Sequence, residues 1–524
     1  MPLPPAVLVR PGCVPDDGPR VGRVPPRPLR PVPLREGLPL TGPILEVEGL
    51  VKYFNVKIPA VERVVVREPP VVHAVEDVSF TLNPGEIFGV VGESGCGKTT
   101  LGRTILRLVE PSAGRIVFDG TDITHLKEAD LRPIRRSMQI IFQDPHAALN
   151  PAMTIGESIA DPLLIHRASG TKTHGIGRPL TTTEEEARAQ ALEIMTEVGL
   201  SPAGQLYTKY PADLSGGQKQ RAVIARAMIL RPKLIVADEP VAMLDMSIRA
   251  KILELMLELK EKYGLTYIFI THDLATAKFI CDRIAIMYLG RIVEIGDSSE
   301  IYREPKHPYT QALLGAIPVP DPDRPRAKTL PKGEVPDAIH PPAGCRFHPR
   351  CPVATPTCGW EPRDFLELLD QRALDDATRV RDDQALGPRY RLRTRADTLR
   401  IRSLDPGLTR RERRYLLALA FLGSLAVGSF HPLVGIGTLA SSLAALFGFD
   451  ALAQRESVRT GLVEQESRRV RAHVQGILQA APEALAKAVR DIAIAGSEVL
   501  VQFAPSSDPG LRTVEGREVR CVLY

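Results

Sequence analysis

A five-residue apolar run, Ile87-Phe88-Gly89-Val90-Val91, passes directly into Gly92, Glu93, Ser94, Gly95, Cys96, Gly97, Lys98, Thr99 and Thr100, and then into a helix-forming stretch, Leu101 to Leu108. The spacing is G-x-x-x-x-G-K-[ST], in the strand-to-helix context that this pattern needs. Gly92, Gly95 and Gly97 let the backbone curl until its N–H groups face inward, which makes a nest for polyphosphate at a helix N-terminus. Lys98 would then reach the β- and γ-phosphates, Thr99 would hold Mg²⁺ through its hydroxyl, and Thr100 would add a phosphate contact. A chance lysine after a glycine-rich turn would not explain both the strand before it and the helix after it. The fold class this predicts is α/β.

At 524 residues the chain is too long for one core, so two or three domains are expected. Its net charge of +5 is unevenly placed. Arg372 to Arg414 holds thirteen arginines and no lysine against seven acids, a surplus larger than that of the whole chain. The remainder is near neutral, which argues against a general nucleic-acid binder. An odd count of seven cysteines and no secretory signal pattern argue against a disulfide framework and point to the cytoplasm.

Residues 1–43 are rich in Pro and Arg, and read as a disordered arm. An alternating pattern from Ile44 gives a strand ending near Tyr53, whose ring is a candidate to stack on a base; a strand-end tyrosine in a core is the competing reading. The buried strand Gln139 to Phe142 ends at Gln143, whose carboxamide can reach Mg²⁺ or an attacking water. From Pro151 to Tyr210 the sequence turns helical. Ser215, Gly216, Gly217 and Gln218 then open a helix and present a second set of N–H donors to an anion. The apolar strand Leu234 to Ala237 ends in Asp238 and Glu239, the first suited to Mg²⁺ and the second to polarising water. A further strand, Ile268 to Thr271, ends at His272, which can meet a γ-phosphate or hold Glu239.

This ordered set, Gly92 to Thr99, Gln143, Leu214 to Gln218, Asp238-Glu239 and His272, resembles the ATP-binding subunits of ABC transporters. The local strings Phe142-Gln143-Asp144-Pro145, Ala147 to Pro151 and His307-Pro308-Tyr309-Thr310-Gln311-Ala312-Leu313-Leu314 are similar to the oligopeptide, dipeptide and nickel importers, nearer their F-type subunit. One departure is Ala242 in Ala242-Met243-Leu244-Asp245, where those importers usually have serine. The resemblance implies an ABC cassette with a RecA-like core, an antiparallel β subdomain and a helical subdomain over 143–225, the whole spanning 44–304. It implies ATP and Mg²⁺ as cofactors, and a head-to-tail dimer with a second ATPase subunit, identical or not, in which Ser215, Gly216 and Gly217 close over the partner's nucleotide. It also implies two membrane-spanning permeases fed by an extracytoplasmic solute-binding protein, no nucleic acid, and a place on the cytoplasmic face of the membrane. The implied activity is ATP hydrolysis coupled to import of peptides or related solutes. The alternative, a non-transport ABC ATPase acting on ribosomes or DNA, is disfavoured by the single cassette and the lack of heptads.

Residues 305–360 continue the importer pattern and contain Cys345, Cys351 and Cys358. The family closes such a trio with a fourth cysteine, and Cys521 resembles it, in a strand-like run from Val519 to Tyr524. With no C-x₂-C pair, the spacing favours a [4Fe–4S] cluster over Zn²⁺. Residues 361–524 then form a mostly helical insert. Its segment 415–449 lacks Asp, Glu, Lys and Arg, is broken near His431-Pro432, and reads as a buried or membrane-associated hairpin too short to line a solute path.

Overall fold

The computed structural model describes residues 42–56, 69–167, 183–317, 333–386, 392–395, 397–402, 456–506 and 508–523. The expected arm falls almost wholly outside the described residues, and the apolar hairpin 415–449 lies entirely outside them.

An eight-stranded sheet forms the centre. Across it run Arg512–Val514, Arg517–Val519, Arg291–Asp297, Arg283–Tyr288, Ile87–Val91, Thr266–Thr271, Leu234–Asp238 and Met138–Ile141. The last five are mutually parallel, and the first three add antiparallel at one edge. Parallel strands are covered on both faces, so their sequences are mainly continuous apolar runs and not alternating ones. Ile87, Val91, Ile235, Ala237, Tyr267 and Phe269 point into one core, while Phe88, Val90, Leu234, Val236, Ile268 and Ile270 point into the other. Each fully buried side chain of this size contributes about 1.5–3 kcal/mol.

The helices Ile155–Arg167, Glu184–Glu197, Gly216–Met228 and Met246–Tyr263 supply the first core. The second is closed by the helix Lys98–Ile105 and by a four-stranded antiparallel sheet of Val71–Leu82, Leu45–Asn55, Ala113–Phe118 and Thr121–Asp122.

Beyond Cys358 the chain builds a body with its own core. The helices Pro362–Arg372, Asp376–Leu386, Glu456–Ala480 and Glu483–Ala488 accompany a four-stranded antiparallel sheet, ordered Leu392–Arg395, Thr398–Arg402, Glu498–Phe503, Val489–Ala495. Trp360, Phe365, Leu399, Ile401, Val474, Val501 and Phe503 are buried together there. The sheet is not part of the expectation of a mostly helical insert, though among the described residues helix still outweighs strand there. In Thr398–Arg402 the apolar Leu399 and Ile401 face inward and the arginines alternate outward, so a strand lies within what reads as a charge run. The expected terminal strand also shifts. The strands are Arg512–Val514 and Arg517–Val519, and residues 520–523 lie beyond them.

Candidate functional site

Parallel register brings the motifs to one edge. Val91 is paired with Thr271, Asp238 with Ile270 and Ala237 with Ile141, so the phosphate loop, the two carboxylates, His272 and Gln143 all leave the sheet at its carboxyl end. Ligands of open α/β sheets bind at that end.

The loop itself is shaped by glycine. Gly97 has φ +101, and a side chain there would run into the Ala74 carbonyl at 2.0 Å. At Gly92 it would meet the Met287 carbonyl at 2.1 Å. Gly97 caps the helix Lys98–Ile105, leaving its first N–H groups available to an anion. Lys98 is buried, and its Nζ donates to the carbonyls of Gly92 at 2.8 Å and Glu93 at 2.9 Å. Cys96 is buried behind the loop, and burial pushes its thiol up. Ser94 and Gly95 are exposed at the turn, and Thr100 is half-buried on the first helical turn.

The Thr99 hydroxyl donates to Asp238 Oδ1 at 2.9 Å. Burial raises the Asp238 carboxyl above its ordinary value, against the opposing pull of the Thr99 bond and Arg103. Glu239 takes φ +46, a costly conformation for a non-glycine residue and one that clusters at working sites. Its Oε1 lies 3.0 Å from His272 Nδ1, and its Oε2 accepts from Gln143 Nε2 at 3.1 Å. Thus one carboxylate is held from both sides by the residues that end the two other motif strands.

Ser215 caps its helix by accepting from the Gln218 N–H at 3.4 Å, and Gln218 Oε1 accepts from the Ser215 N–H at 3.0 Å. Ser215 and Gly216 are exposed and Gly217 is buried. Tyr53 pairs across strands with His73, next to the Ala74 whose carbonyl lies against Gly97, and its ring is 4.5 Å from the His73 ring.

Two residues that sequence reasoning assigned no role touch the loop from behind, Tyr309 and Arg350. Tyr309 lies within a string that marked family only. Nothing local to Arg350 signals its partner, because 257 positions separate it from Glu93.

Cys345, Cys351, Cys358 and Cys521 line one small pocket, with His307, Phe347 and His348. Burial pushes the Cys345 thiol up to about 12 and the Cys351 thiol up to about 11. Among the described residues no three His, Cys, Asp or Glu are grouped to hold a metal ion. That finding supports neither the expected [4Fe–4S] cluster nor its Zn²⁺ alternative.

Residues 75–242 match the family model for the ABC transporter, and residues 293–358 that for the oligopeptide/dipeptide transporter, C-terminal region. Over 331 residues the chain is 44% identical to the "Probable peptide ABC transporter ATP-binding protein y4tS" of Sinorhizobium fredii, covering 63% of this chain and 88% of the relative. Over 327 residues it is 44% identical to the "Oligopeptide transport ATP-binding protein AppF" of Bacillus subtilis, covering 62% and 94%. The chain belongs to the ATP-binding proteins of ABC transporters, in the branch that carries the oligopeptide/dipeptide C-terminal region. Neither relative's name concerns ribosomes or DNA, and that alternative gains nothing from them.

Proposed function

We propose that this chain binds ATP with Mg²⁺ at Gly92 to Thr100 and hydrolyses it to drive import of peptides or related solutes. The observation that carries the reading is the Glu239 carboxylate, fixed between Gln143 and His272 beside the Thr99–Asp238 pair. In this reading Glu239 takes the proton of the attacking water, His272 orients it and meets the γ-phosphate, and Lys98 leaves its two carbonyls for the β- and γ-phosphates. Thr99, Asp238 and Gln143 fit a hard cation, having oxygen donors and a buried carboxylate whose charge needs a counterion. Mg²⁺, if held by these residues, would supply a positive charge to offset that of the phosphate oxygens. Tyr53 covers the base. Ser215, Gly216, Gly217 and Gln218 face the nucleotide of a second ATPase subunit. Glu239→Gln should keep ATP binding and lower turnover by about 10²–10⁴-fold. Near-normal turnover in the assembled transporter would sink the assignment.

The partners in this reading are two permeases and, through them, a solute-binding protein. Support comes from the relatives' names, which speak of peptide and oligopeptide transport, and from the matched C-terminal region. The place proposed for the chain is peripheral, on the cytoplasmic face of the membrane; among the described residues no helix is long and apolar enough to cross one. Co-purification with its permeases in detergent tests this, and a chain that stays wholly unassociated would contradict it.

For the cysteines the reading is a [4Fe–4S] cluster held by Cys345, Cys351, Cys358 and Cys521. Its support is the shared pocket, reached by Cys521 only after the intervening body. Anaerobically purified protein should be brown, and Cys521→Ser should lose the colour. A colourless protein with one zinc per chain would overturn the metal, and an unchanged cluster in the variant would overturn the fourth ligand.

A further inference from the structure

Glu93, the residue after Gly92, is held by two side chains from outside the loop. The Tyr309 hydroxyl accepts the Glu93 N–H at 3.0 Å. Arg350 donates from Nη1 and Nη2 to the two carboxylate oxygens of Glu93, at 2.9 and 3.3 Å. Such two-pronged pairs are strong and directional.

Neither partner can easily swing away. Tyr309 is fully buried, and the rings of Tyr288, Tyr309 and Phe347 pack with centroids 4.6, 5.2 and 5.4 Å apart. The Arg350 guanidinium lies 5.9 Å from the Tyr288 ring and 6.0 Å from that of Phe347, and its side chain is 10% exposed. The Glu93 carbonyl meanwhile accepts Lys98 Nζ. One residue therefore has its N–H fixed by Tyr309, its carboxylate by Arg350 and its carbonyl by the lysine that serves the phosphates.

We propose that Tyr309 and Arg350 are positioning residues of the nucleotide site, holding Glu93 so that the turn from Gly92 to Gly95 and the resting place of Lys98 are formed before nucleotide arrives. The inference rests on reading Gly92 to Thr100 as the phosphate loop. A loop ordered in advance spares ATP the entropy of ordering it, which strengthens binding. The carboxylate assigned to chemistry, Glu239, is held by Gln143 and His272 and does not depend on this grip. The effect should fall on KM and not on kcat.

The test uses the full-length chain with Arg350→Met, Arg350→Lys, Tyr309→Phe, Glu93→Gln and Lys98→Ala. Arg350→Met should raise the KM for ATP by about 5–20-fold and Tyr309→Phe by about 2–5-fold, with kcat within about twofold of wild type. Arg350→Lys, which keeps the charge but not the fork, should fall between wild type and Arg350→Met. In the Glu93→Gln background Arg350→Met should add little, as expected for residues acting through one contact. Unchanged KM in Arg350→Met and Tyr309→Phe, or a fall in kcat alone, overturns the proposal. Should Arg350→Met fail to fold, Tyr309→Phe decides, because it keeps the ring packing. Lys98→Ala separates the two layers: normal ATP binding there overturns the phosphate-loop reading itself, whereas lost binding with unchanged KM in the other variants overturns only the positioning role.

Discussion

The Thr99 hydroxyl donates to the Asp238 carboxylate across 2.9 Å, closing a contact between residues 139 positions apart. A divalent cation that took both oxygens would replace this bond and offset the burial that raises the Asp238 carboxyl. Asp238→Asn should therefore shift the Mg²⁺ concentration for half-maximal turnover upward by at least about tenfold. A Mg²⁺ titration at fixed ATP checks this, and an unmoved midpoint would place the metal elsewhere.

Glu76 gives an acid sensitivity with a definite sign. Burial alone would raise its carboxyl, but Arg346, His73 and Arg291 outweigh burial and hold it at about 2, below the ordinary 4.5. A depressed carboxylate stabilises the fold above its unfolded value, and that stability is lost as pH falls from 4.5 towards 2. Allowing for solvent screening, the contribution is about 1–3 kcal/mol. Glu76→Gln should be less stable than wild type at pH 6 and differ much less at pH 3, measured by urea unfolding. A pH-independent gap would show that packing and not charge is at work.

Arg517 is the counterion of a carboxylate with nowhere else to go. Glu294 is fully buried, accepts the N–H groups of Lys306 and His307 at 2.9 Å each, and lies 3.7 Å from Arg517 Nη1. Arg517→Met would leave that charge uncompensated and should cost about 3–5 kcal/mol. Adding Glu294→Gln should recover part of the loss. Thermal melts of the three variants decide, and an unaltered melting temperature in Arg517→Met would refute the coupling.

Phe503 is buried in the core of the body beyond Cys358, a cluster that shares no residue with the two ATPase cores. Phe503→Ala should destabilise that body by about 3–5 kcal/mol. Limited proteolysis should then cut within 361–505 while ATP binding persists. Loss of ATP binding in step with the cuts would mean that the two parts unfold together.

What the sequence made legible was local. Gly92, Gly97 and Lys98 announce their arrangement because left-handed turns and close backbone approach leave few residue types open. The strands before Gly92, Asp238 and His272 were readable as unbroken apolar runs. Thr398–Arg402 was not, because Arg400 and Arg402 hid the two-residue period of Leu399 and Ile401. The hold of Arg350 on Glu93 was invisible for another reason: a long-range ion pair leaves no spacing in the chain, and only folding brings its halves together.

The Arg291–Asp297 strand completes its pairing with Arg517–Val519, which follows the whole intervening body in sequence. While the ribosome is still making that body, the hydrogen-bonding edge of Arg291–Asp297 stands open, a template for any passing extended peptide. The nascent chain thus carries an unsealed seam through much of its synthesis, and a chaperone that shields strand edges would matter more to its yield than to that of a relative lacking the body.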